Sequence, residues 1–294
     1  TSVAVSRHIH VGTGGQIKGD WKDVVVNMDC FLNALNEVKP AYGVNEEDLH
    51  DCVKGGILKF SQKIDGIINR VNRDIAQLKN SKRFNFSSVL LYGPPGSGKT
   101  ALAANMALKS KFPFIRMISS DELIGMSEAA KVQYIDNTFR DAYKSPLNIL
   151  IVDDIEAIID YVPIGPRFSS VILRALMTRM RKPPPESHRL IVLATTSNYR
   201  LIKNLDVLNC FNDEIPVNNL TSLEELKSVM LQTQFGAPNV EAASENVNKQ
   251  LLQIFQDGKI NIAIKKVLFN IDASKFSSNP VEELVQLTVE SNRP

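Results

Sequence analysis

The sequence predicts a three-layer α/β fold, a parallel sheet organised around a phosphate-binding loop, followed by a small all-helical domain. Three observations carry that prediction. Ser88 to Leu102 reads SVLLYGPPGSGKTAL, an apolar run, a glycine loop and then a stretch rich in helix formers. Asn148 to Asp154 reads NILIVDD, four apolar residues that suit a strand buried on both faces, with two acids where open α/β sheets bind ligands. From Thr221 to the end no long apolar run recurs, and helical spacing takes over.

The loop itself is G-x-x-x-x-G-K-T between a strand and a helix. Gly93, Gly96 and Gly98 let the backbone curl so that successive N–H groups face an anion, with the positive end of the following helix behind them. Lys99 supplies a mobile charge for the β- and γ-phosphates of a nucleotide, and the Thr100 hydroxyl suits a magnesium ligand. Downstream, Asp153 is expected to hold magnesium through water and Asp154 to lie near an attacking water. The plainer alternative makes Asp154 the cap of the next turn.

Composition bounds the rest. With 294 residues, 44% hydrophobic and 22% charged, the chain exceeds one average domain and has ordinary globular proportions. A net charge of +2 gives no basic groove for nucleic acid and no strong attraction to anionic lipid. No apolar run approaches the ~20 residues of a bilayer span. The first residues resemble neither a signal peptide nor a natural start, so a piece of a longer protein is expected. Cys30, Cys52 and Cys210 lie far apart, and none has a C-x-x-C neighbour or a histidine at zinc-finger spacing, which argues for a reducing compartment and against a metal site.

In chain order, residues 1–20 show little periodicity and read as irregular. Val24–Met28 reads as a short strand, and Asp29 caps a helix from Cys30 to Val38 that Pro40 ends. Asn45 followed by Glu46, Glu47 and Asp48 starts a helix through Val53, and Gly55-Gly56 breaks it. Ile64, Ile67, Ile68, Val71, Ile75 and Leu78 then recur at helical spacing. Phe112–Ile118 reads as a strand, Ser127 starts a helix to about Ala142, and Phe168–Arg181 is an amphipathic helix with a basic end that Pro183–Pro185 stops. Leu190–Ala194 is a buried strand ending in Thr195-Thr196-Ser197, Arg200–Cys210 is helical, and Ile215-Pro216-Val217 is an edge strand. Helices over 222–234, 245–256, 260–269 and 281–290 complete the small domain.

The phosphate loop, Asp153-Asp154 and the run DDIEAIIDYVPIGPRFSSVILRALM (Asp153 to Met177) resemble the AAA ATPases, P-loop proteins that form rings. Within them they resemble the second ATPase domain of the N-ethylmaleimide-sensitive fusion protein family. The resemblance runs from about residue 21 to 270. It implies ATP and magnesium as cofactors, with Pro95, Gly96, Ser97, Gly98, Lys99, Thr100, Ala101 and Leu102 cradling the phosphates and Thr100 and Asp153 serving the metal. It also implies that Gly55, Gly56, Ile57 and Leu58 border the base, although a plain helix break with Ile57 in the core fits the sequence equally well. Residues 1–40 would be the tail of a preceding lid and a linker, 41–218 the nucleotide-binding domain and 219–294 the lid. In that lid Lys265 or Lys266 would swing toward the γ-phosphate. Arg181 or Lys182 would reach a neighbouring subunit's phosphates, unless both merely complement the helix dipole.

The family further implies a homo-hexamer working with SNAP-type adaptors on SNARE complexes, cytoplasmic and peripheral on transport-vesicle and Golgi membranes, with no nucleic acid involved. Three departures predict slow turnover. Asp154 replaces the glutamate usual in active domains, Ser197 replaces asparagine, and Leu208–Phe211 lacks the arginine fingers worth ~10³ in rate. The central-loop turn carries Ile124 and Met126 rather than an aromatic grip. The expected function is an ATP-holding assembly module with slow hydrolysis; the alternative is an active motor that threads protein through a ring.

Overall fold

The computed structural model describes residues 46–81, 83–165 and 167–292, together with two short strands near the start. Those strands, β1 (His10–Val11) and β2 (Ile17–Lys18), pair antiparallel with His10 opposite Lys18. They correct the expectation of irregular chain over 1–20, because two residues are too short a run for alternation to register. They lie in a unit spanning Thr1–Gly43, and Val44–Pro294 forms a second. The strand expected at Val24–Met28, the helix at Cys30–Val38 and Cys30 fall outside the described residues.

The second unit opens with α1 (Glu46–Val53) and α2 (Gln62–Asn80), whose Ser61 hydroxyl accepts from the Lys63 amide as an N-cap. The apolar positions of α2, Ile64 through Leu78, are the ones it buries. Five parallel strands follow: β3 (Phe86–Tyr92), β4 (Phe114–Ile118), β5 (Leu147–Val152), β6 (Arg189–Thr196) and β7 (Asp213–Pro216). Their order is β4-β5-β6-β3-β7, so the proline-bearing strand is at an edge as its missing N–H demands.

Alternation along the strands builds two cores. Val89, Leu91, Ile149, Ile151, Ile191 and Leu193 face one side, against α2 and α3 (Lys99–Ser110). Leu90, Leu150, Val152, Leu190 and Val192 face the other, against α4 (Glu128–Ala142), α5 (Ile155–Ile158) and α6 (Ser170–Arg181). Each such side chain contributes roughly 1.5–3 kcal/mol on burial, so the sheet is anchored from both faces. The helix expected over 200–210 is split into α7 (Tyr199–Asn204) and a 3-10 turn at Val207–Cys210, with Asp206 at φ 57 between them.

Beyond the sheet come β8 (Leu220–Ser222), α8 (Leu223–Gln232), α9 (Val240–Ile254), β9 (Lys259–Ile262), α10 (Ile264–Ser274) and α11 (Pro280–Ser291). This region is not wholly helical. β8 and β9 pair antiparallel, and Lys259-Ile260-Asn261-Ile262 alternates exposed and buried, a period of two that the expected helix over 260–269 overlooked. The helix itself begins two residues beyond that strand, at Ile264.

Candidate nucleotide site

β3 delivers its chain to the loop at the carboxyl end of the sheet. Gly93 sits there because a Cβ would lie 2.0 Å from the Val217 carbonyl oxygen, a distance no side chain tolerates. Gly96 is in the left-handed region at φ 76, and a Cβ there would press on the Ala263 methyl at 3.2 Å. The helix α3 starts at Lys99, whose Nζ donates to the Gly93 and Pro94 carbonyls at 3.0 and 2.9 Å. Burial holds its pKa below the usual lysine value, while Glu156, Asp153 and Asp154 oppose that shift.

The two oxygen ligands expected for magnesium are side by side. The Thr100 hydroxyl donates to Asp153 Oδ1 at 2.7 Å, and the Thr195 hydroxyl donates to the same oxygen at 2.8 Å. Thr195 also accepts from the Asp154 amide at 2.8 Å, which ties the end of β6 to the end of β5. Hard hydroxyl and carboxylate oxygens suit magnesium, and a loop with left-handed Gly96 and Gly98 ahead of a helix N-terminus suits a triphosphate, so the residues fit both.

These groups open onto a cavity of about 620 Å³, within the range of small-molecule sites. On one side Gly55, Gly56, Ile57 and Leu58 line it, and Ile57 and Leu58 also pack against the core. Ile57 therefore packs against the core, as the plain helix-break reading expects, and also faces the cavity. Every residue from Pro95 to Leu102 lines it as well, as do Asp153, Asp154 and Ser197. α10 closes the third side with Ile264, Lys265 and Leu268, and the Lys265 amide donates to the Gly96 carbonyl at 3.1 Å. Lys266 turns away, its Nζ 5.3 Å from the Phe269 ring centroid. Arg181 is not part of the lining; its Nε donates to Cys210 Sγ at 3.2 Å.

Asp154 differs from Asp153 in every respect that bears on chemistry. Its backbone is left-handed at φ 56, and its carbonyl, not its side chain, accepts the first bonds of α5. The side chain is thus no cap. Its Oδ1 is buried without a hydrogen-bond partner, and burial, the neighbouring Glu156 and Asp153 push the carboxyl up to about 6.

Glu156 is the residue that sequence reasoning missed. Its carboxylate accepts from the Thr196 hydroxyl at 2.8 Å and the Ser197 amide at 2.6 Å, so it fixes the turn that carries Ser197. Its position two residues past Asp154 gave no signal, because its partners lie about forty positions away on β6. The Thr195 signal was its place one residue beyond the apolar run of β6, where a buried polar group needs a partner.

A family model described as "ATPase family associated with various cellular activities (AAA)" matches residues 89–219, the segment from β3 to β7 that holds these groups. The vesicular-fusion protein SEC18 of Saccharomyces cerevisiae is 46% identical over 294 residues, 99% of this chain and 38% of that protein. This chain belongs to the AAA ATPases. The vesicular-fusion protein sec18 of Schizosaccharomyces pombe is 43% identical over 94% of the chain and 34% of its own length. The vesicle-fusing ATPase of Dictyostelium discoideum is 37% identical over 83% of the chain and 33% of its own length. The chain thus spans less than two fifths of each of these relatives. Within the AAA domain, the turn at Asp121–Leu123 presents Ile124 at 78% exposure, while Met126 packs partly against the core. Among the described residues no helix is long and apolar enough to cross a membrane.

Proposed function

We propose that this chain is an ATP-holding AAA module with slow turnover, acting within a hexameric machine that takes apart SNARE complexes through SNAP-type adaptors. The observation that carries the reading is the contrast around one cavity: Lys99 is tied to the loop carbonyls and Thr100 and Thr195 both donate to Asp153, a set that fits Mg-ATP, while the half-buried Asp154 carboxyl leaves Oδ1 without a partner and is raised to about 6. A group that must accept a proton from water works best when it is ionised and aimed at that water. The chain's own residues do the binding work: the loop amides and Lys99 neutralise the phosphates, Thr100 and Asp153 would hold magnesium, and Lys265 would approach from the lid. Magnesium, when bound, supplies charge neutralisation between the β- and γ-phosphates.

The domain reading accompanies this function. Residues 41–218 would form the nucleotide-binding body and 219–294 the lid, with 1–40 belonging to a preceding module. Arg181 and Lys182, held away from this cavity, would serve a neighbouring subunit. A ligand bound between subunits stabilises a ring by mass action, so tight retention of ATP favours assembly over motor work. The setting that goes with this reading is cytoplasmic and peripheral on transport-vesicle and Golgi membranes; the relatives named for vesicle fusion support its link to vesicles.

The test is the solution mass of the protein with and without ATP and magnesium, wild type beside Lys99→Ala. ATP-dependent hexamers that the substitution reduces to smaller species support the reading. Hexamers of equal stability without nucleotide reject it.

A further inference from the structure

The base-side wall, residues 55–60, has no helix or strand of its own. It is a link between α1 and α2, and Gly55 and Gly56 have nothing within 4 Å of where a Cβ would stand. Its far end, at Lys59 between the lining residues Leu58 and Phe60, is nevertheless fixed from a distance of 173 positions in sequence. The Lys59 amide donates to Gln232 Oε1 at 3.1 Å, and Gln232 Nε2 donates back to the Lys59 carbonyl at 3.2 Å. A side-chain amide that both accepts from and donates to one residue's backbone substitutes for a strand partner. Gln232 is the last residue of α8, and its amide cannot turn over without loss. Nε2 also faces the Ser228 carbonyl and hydroxyl at 3.3 and 3.2 Å, both acceptors, so the oxygen is left toward the Lys59 N–H. The Lys59 ammonium pairs separately with Asp65 at 2.6 Å, leaving its backbone to Gln232.

The same lid touches the opposite, phosphate wall through the Lys265 amide and Gly96. We infer that Gln232 is a positioning residue for the base: it holds the 55–60 wall in the shape that a nucleobase needs and leaves the phosphate cradle untouched. The inference rests on the nucleotide-binding reading above. It predicts a separation between two ligands, because adenine meets the 55–60 wall and inorganic tripolyphosphate meets only the cradle.

The experiment measures binding of Mg-ATP and of magnesium tripolyphosphate by calorimetry to wild type, Gln232→Ala and Gln232→Glu. Losing two exposed hydrogen bonds should weaken Mg-ATP about fivefold in Gln232→Ala while tripolyphosphate binding stays unchanged. Gln232→Glu can accept from the Lys59 amide but cannot donate to its carbonyl, so its loss should be about half as large on a logarithmic scale. Equal weakening of both ligands, or unchanged ATP binding in Gln232→Ala, overturns the inference. Wild type that binds tripolyphosphate as tightly as ATP overturns instead the reading on which it rests.

Discussion

Two ends of one cavity are built to different standards. At the phosphate end, Lys99 donates to the Gly93 and Pro94 carbonyls and Thr100 and Thr195 donate to Asp153, at 2.7 to 3.0 Å, and the loose atom there is Ser97 Oγ, buried without a partner. At the hydrolytic end, 154 and 197 hold shorter polar side chains than the family pattern expects, Asp154 is in a left-handed conformation with an unpartnered buried oxygen, and the Ser197 amide is already committed to Glu156. On the proposed function, a bonded metal-ligand pair beside a loosely held Asp154 makes holding a nucleotide and cutting it separable properties of one fold. The first needs converging donors and a metal ligand; the second needs one base aimed within about an ångström.

The largest effect that would break this comparison is at the cradle. Lys99→Ala should weaken Mg-ATP binding about a hundredfold, since it removes a charge-assisted contact with the phosphates, and calorimetry reads the change directly. Binding within a factor of two of wild type would mean that the loop amides alone suffice. The next sharpens the other side. Asp154→Glu restores the missing methylene and should raise steady-state turnover about tenfold, with ATP affinity unchanged. A fall in turnover would assign the slow step elsewhere.

Asp154 also makes a prediction about pH. Its folded-state pKa, about 6, is raised above the ordinary 3.8, so the folded state binds the proton more tightly than the unfolded chain. The stability this gives is present below the ordinary value and is lost as pH rises through about 6. Asp154→Asn should therefore stabilise the nucleotide-free, magnesium-free protein by about 1 kcal/mol at pH 7.5, after allowance for partial exposure, and by less at pH 5. Urea midpoints at the two pH values check the sign. The smallest expected effect is at Ser197, where Ser197→Asn lengthens the polar side chain at the end of β6 and should raise turnover about threefold. No change would remove Ser197 from the hydrolytic end.

How far these features could be read beforehand follows their physics. The cradle was readable because its residues are contiguous and each type has one use: glycine for close backbone approach, lysine for phosphate, threonine for metal. The parallel strands were readable because a strand buried on both faces must be apolar throughout. Glu156 was not, because its role depends on β5 and β6 lying adjacent, with Val152 opposite Ala194, a pairing across about forty residues. Gln232 was hidden for the same reason at a greater separation. β9 was missed because four alternating residues carry too little pattern against a helix that begins two residues beyond them.

The most direct test of separable holding and cutting is a single-turnover measurement. Protein is mixed with a slight deficit of ATP in magnesium, free nucleotide is removed, and the bound nucleotide is identified over time. An enzyme of ordinary turnover, ~10 s⁻¹, would convert all of it within the first second. The bound species should instead remain ATP for many minutes while the protein stays assembled. Rapid conversion to bound ADP, or early release of unreacted ATP, would contradict a cradle that holds what its neighbour is slow to cut.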